Sequence, residues 1–199
     1  MNDPDTIDLL AGLAPGSPLA MIRDRKPVTR QNAEASYRAL FEPADPGHVT
    51  SQERFALAMF VAGLHAQDEI AAFYASGLAL SEPTDAFTAA IAAEIGRGRA
   101  NGPYGAYPPG PLSVEDVPGP VHQVTAAGRA ALGARMAAAL AHVHLLVFHP
   151  RDASPAALQA LLDAGWSTTD IVTLSQLVAF LAFQIRTVAG LRVLSATPA

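Results

Sequence analysis

The 199-residue chain contains no cysteine. That excludes disulfides, thiolate metal sites, iron–sulfur clusters and any thiol nucleophile within it. Charge is also sparse, at 16% of residues, with 13 Lys and Arg against 18 Asp and Glu and a net charge of −5. No basic block is present, so a nucleic-acid partner has no electrostatic support. Strand-like alternation is absent throughout. Polar residues break the most apolar segments, around residues 55–64 and 177–185, which argues against a membrane span. The start, MNDPDTIDLL, is acidic and lacks the positive region of a secretory signal. A soluble cytoplasmic protein without cofactor or metal is the expectation.

What the chain does have is apolar material, half of its residues. That is ample for a core, and it points to a subunit interface that covers some of the remainder. The spacing predicts an all-α fold. Residues 1–49 read as an N-terminal helical extension of short helices between proline turns, packed on the main core. Ser17-Pro18 opens one helix and Thr29 caps the next. Residues 50–199 read as one compact helical domain. Thr50 and Glu53 form a capping-box pattern. A single long helix is predicted over residues 50–78, apolar nearly all round except for a polar notch at residues 65–69. A shorter helix follows from Asp85 to Ile95.

Residues 96–124 hold many of the glycines and prolines and form a long loop, in which Tyr104 and Tyr107 add aromatic surface. Helix resumes over residues 125–148 and stops at His149-Pro150. Ser154-Pro155 opens a short helix, and Gly165 suits a left-handed end. Ser167 with Asp170 resembles a second capping box. Trp166 and Ile171 stand at the positions of a hydrophobic staple, and the last helix runs to about Val193.

Two segments carry a family resemblance. One is ERFALA at residues 53–58 with the FVA run that follows. The other is LQALLDAGWS at residues 158–167, with Ile171 and LVAFLAFQIR at residues 177–186. Together they resemble the alkylhydroperoxidase D/carboxymuconolactone decarboxylase superfamily, especially its peroxidase-related members, over roughly residues 35–194. The resemblance implies an alkylhydroperoxidase D-like helical fold and an oligomer, either of identical chains or with a paralogue. It also implies a small-molecule pocket on the long helix. Active members carry Cys-x-x-Cys there, with a following histidine and a preceding glutamate that relay a proton away from one cysteine so that it becomes a thiolate.

Laid on this sequence without gaps, the cysteine positions fall at Gln67 and Ile70. The histidine position falls at Phe73 or Tyr74, and the glutamate position at Phe55. A disulfide peroxidase mechanism cannot operate without the thiol. Two expectations follow. The first is a non-catalytic subunit or scaffold. The alternative is a cysteine-independent enzyme or binder with decarboxylase-like acid/base chemistry. It would use His65 and Glu69, four residues apart, with Gln67, Tyr104, Tyr107 and Arg186 as ligand-binding candidates. A metal at His65 and Glu69 would need a third ligand from His142, His144 or His149. His142 and His144 point apart on a helix, so that reading is not adopted. No catalytic-triad pattern or phosphate loop is present.

Overall fold

The computed structural model describes residues 5–197. They are all-helical: α1 (Thr6–Ala11), α2 (Pro18–Asp24), α3 (Pro27–Phe41), α4 (Ser51–Leu64), α5 (Asp68–Ala79), α6 (Asp85–Gly98), α7 (Ala126–Phe148), α8 (Pro155–Asp163) and α9 (Thr168–Ala196). Short 3₁₀ turns lie at Pro111–Glu115 and Pro150–Asp152. Among the described residues there is no strand, only an isolated antiparallel bridge between Gly105 and Val117.

The helix predicted over residues 50–78 is two helices. α4 stops because Ala66 takes a left-handed conformation, with φ 54°. Its N–H donates to Gly63 O, and that of Gln67 donates to Ala62 O. This is the Schellman arrangement, which satisfies the last carbonyls of α4. Alanine normally avoids this region by about 1–2 kcal/mol, so no glycine or proline marks the break. The polar notch is the turn itself. α5 then runs back along α4, and a Cβ on Gly77 would lie 2.2 Å from the Phe55 ring. Only glycine permits that approach.

The two capping boxes form as their sequences require. Thr50 Oγ1 accepts from Glu53 N at 3.2 Å, and Glu53 Oε2 accepts from Thr50 N at 2.8 Å. Ser167 Oγ accepts from Asp170 N at 3.1 Å, and Asp170 Oδ2 accepts from Ser167 N at 3.0 Å. Trp166 and Ile171 are both buried. α3 begins two residues before its expected cap at Thr29, because Pro27 already supplies the fixed φ of a first helical position. α6 continues past Ile95 to Gly98, which nests between Leu64 and His144.

Arg135 of α7 joins the two capping boxes. Its Nε donates to Glu53 Oε1 at 2.7 Å, and its Nη2 lies 3.4 Å from Asp170 Oδ2. The guanidinium stacks 4.0 Å over the Trp166 ring, and Trp166 Nε1 donates to Arg135 O at 2.9 Å. Further N–H groups reach Gly165 O and His48 O. Two residues earlier the backbone of Gly133 leaves helical geometry, with φ 79° and ψ 164°, so α7 bends there. That combination is essentially confined to glycine.

Residues 5–49 share the hydrophobic core with the rest. Ile7, Leu10, Tyr37 and Phe41 belong to the same buried cluster as Leu57, Leu140 and Leu177. Arg23 and Arg30 bridge Asp5 and Asp8 and tie α1 to α2 and α3. Arg54 is buried with its N–H groups on Val49 O, Leu40 O and Pro46 O, which pins the connection into α4.

α7 and α9 are long and apolar enough to cross a bilayer by length and composition alone, with half of the most apolar stretch buried in α7 and a third in α9. Core helices meet the same criterion.

Candidate functional site

Of the positions singled out by the sequence resemblance, Ile70 and Tyr74 lie in the core and Phe55 and Phe73 pack against it. Phe55, Phe73 and Tyr74 join Tyr37 and Phe41 in one aromatic cluster, with centroids 5.2 Å apart for Phe41–Phe55, 5.0 Å for Phe41–Tyr74 and 5.1 Å for Phe73–Tyr74. Ile70 and Tyr74 have no exposed surface. The Tyr74 hydroxyl donates to Gln184 Oε1 of α9. Burial raises the Tyr74 pKa, and it lifts that of Tyr37 to about 12, so both rings stay neutral. Gln67 differs, since it stands at the N-cap of α5 without a side-chain capping bond.

A cavity of about 710 Å³ lies at the C-terminal end of α4. The turn at His65 and Ala66, the loop from Ala100 to Pro103, the end of α7 and one side of α9 border it, and it is open to solvent. Of the sequence candidates, His65 and Arg186 line it, whereas Glu69, Gln67, Tyr104 and Tyr107 do not. His65 Nε2 is buried and has no hydrogen-bond partner among the described residues. Burial, and then the charge of Arg186, lowers the His65 pKa and keeps the imidazole neutral. Arg186 donates to Ala182 O of its own helix at 3.0 Å. Among the described residues it meets no carboxylate.

Glu69 does not converge with His65. It begins α5 and pairs with Arg192 at 2.7 Å, while Asp68 pairs with Arg99. The helix break explains the separation: a shared face at four-residue spacing requires one continuous helix. Tyr104 and Tyr107 hold the loop instead. The Tyr104 hydroxyl accepts from Asn101 N at 3.1 Å, and its ring lies against His149. Arg151 stacks 4.0 Å over Tyr107.

The same loop is fastened to α7 through histidines. His122 stacks on His144 with centroids 5.1 Å apart, and its Nε2 lies 3.2 Å from Glu94 Oε2. His144 Nε2 donates to Gly98 O at 3.0 Å. His149 contacts Asp152 Oδ2 and Pro120 O, each at 2.9 Å. No group of three or more potential ligands that could hold a metal occurs among the described residues. His122 was not a candidate in the sequence, because nothing local relates the loop to α7.

No family model matches the chain, and no curated protein or solved structure is significantly similar to it.

Burial is the main reason the His144 pKa falls from 6.5 to about 4, with the neighbouring His122 adding to it and the bond to Gly98 O opposing. Because the folded value lies below the unfolded one, the unfolded chain takes up protons first. Stability is therefore full above about pH 7 and declines as pH falls from 6.5 toward 4. Asp5 and Asp170, whose pKa values are lowered, contribute their loss only below 3.8. Urea unfolding at a series of pH values should show a slope approaching about 1.4 kcal/mol per pH unit for each such histidine. His144→Gln should flatten it, and an equally steep slope in that variant would contradict the assignment.

Proposed function

We propose that this chain is a redox-inactive, alkylhydroperoxidase D-like cytoplasmic protein that binds a small carboxylate in the cavity at His65 and Arg186. The family part of the reading is carried by the two sequence segments around residues 53–62 and 158–186. The ligand part is carried by one observation: an unpartnered, neutral imidazole faces the same cavity as a guanidinium that meets no acid among the described residues. A carboxylate would complete both groups. Arg186 offers paired N–H donors to its two oxygens, and His65 offers one more N–H. Such a cavity is within the usual size of a small-molecule site. In a decarboxylase-like reaction His65 would be the acid/base group, since Glu69 is engaged by Arg192.

A second reading, the non-catalytic subunit of an oligomer, is favoured by α9. Its outward side exposes Val172, Ala179, Phe183 and Val193, spaced four to ten residues apart along one stripe. A paired copy or a paralogue would cover it.

Titration calorimetry with benzoate, and with benzyl alcohol as the neutral match, tests the first reading. Benzoate should bind in preference, and Arg186→Gln should weaken it about tenfold or more. Equal binding of the two compounds, or no effect of the substitution, would refute it. Light scattering tests the second. The mass should be a multiple of 20.7 kDa and should fall in Phe183→Glu. A monomer would count against it.

A further inference from the structure

A second cavity, of about 690 Å³, lies on the other side of the α7 end, and shares no lining residue with the His65 cavity. It is bounded by α7, α8 and the segment from Val121 to Val124. Alanines form much of the wall between the helices, Ala134, Ala137, Ala138 and Ala141 from α7 with Ala157 and Ala160 from α8, and histidines and exposed charged residues complete it. Methyl side chains on facing helices leave the space that larger residues would fill.

One buried polar side chain in this wall is unsatisfied at both ends. His142 is 6% exposed, and neither Nδ1 nor Nε2 has a hydrogen-bond partner among the described residues. Buried polar groups are almost always paired, so an imidazole open at both nitrogens calls for a partner. Two of the neighbouring histidines are hydrogen-bonded, and the Nε2 of the third, His122, meets only a carboxylate. His144 is held by Gly98 O, His149 by Asp152 and Pro120 O, and His122 lies against Glu94.

The chemistry of that partner follows from the residue. Desolvation alone lowers the His142 pKa, and no charged neighbour contributes, so the ring is neutral. A neutral imidazole presents one donor and one acceptor. The charged groups of the lining, Arg129, Asp152 and Asp163, are all exposed and so solvated, which leaves His142 as the unsatisfied buried group that selects the ligand.

We propose that this cavity binds a neutral, largely apolar small molecule carrying a hydroxyl group, an alcohol or a phenol, hydrogen-bonded to His142. The site is independent of the carboxylate cavity and differs from it in ligand charge.

The full chain labelled with ¹⁵N-histidine, titrated with phenol and with toluene as the matched compound lacking the hydroxyl, provides the test. Phenol should move the His142 ring nitrogen resonances saturably and bind about tenfold more tightly than toluene. His142→Leu should remove that preference while leaving toluene binding intact. Ala138→Trp, which fills the space, should abolish binding of both. Phenol and toluene binding equally to the wild type, or a phenol preference that survives in His142→Leu, would overturn the proposal. The wild-type comparison decides the matter alone if the leucine variant does not fold. Unmoved His142 resonances would assign the ring to packing, with water as its only partner, and would likewise overturn it.

Discussion

The guanidinium of Arg135 holds together the starting points of the two helices on which the rest of the molecule is built. Its neighbours are local devices that the sequence makes on its own. Thr50 with Glu53 begins α4, Ser167 with Asp170 begins α9, and Trp166 staples the second. Each device fixes only where its own helix starts. Arg135 spends one N–H on each carboxylate and lays its plane on the indole, so the two starts are fixed relative to one another. With 28% of the Arg135 side chain exposed, part of the desolvation cost of burying the charges is avoided. The bend at Gly133 lies two residues ahead of the arginine in α7.

From that anchor α4 ends at the His65 turn, and α9 supplies Ser175, Val178, Ala182 and Arg186 farther along its length. The far portions of the two helices border one cavity. Phe55 of α4 and Ile70, Phe73 and Tyr74 of α5 lie in or against the core. Their packing against Tyr37, Phe41 and the Tyr74–Gln184 hydrogen bond turns that region into ordinary core. Leaving a buried polar nitrogen unpaired costs about 1–3 kcal/mol; His65 and His142 carry that cost with no charged partner, whereas the unbonded Nε2 of His122 lies 3.2 Å from Glu94 Oε2.

Much of this was legible in the residues, and what was not has a consistent cause. The caps at Thr50 and Ser167, the proline starts at Pro18 and Pro155 and the glycine end at Gly165 are local signals, and the structure carries them all. The helix break at Ala66 was not legible, because alanine gives no signal for a left-handed conformation. The polar notch marked the place, but as a face of one helix. That misreading joined His65 to Glu69 and Gln67. The arginines were also illegible: Arg135 and Glu53 are 82 residues apart, and Arg54 is satisfied by carbonyls, which have no sequence signature. His65 and Arg186, two of the several candidates, line one cavity in the fold.

The most direct test of this account is the unfolding free energy of Arg135→Met, measured alone and combined with Glu53→Gln, which can retain the capping box. If one guanidinium sets the spacing of α4 and α9, the single substitution should cost about 2–3 kcal/mol. The double variant should then be clearly less destabilised than the sum of the singles. A loss below about 0.5 kcal/mol with additive effects, as for an unremarkable surface residue, would contradict it.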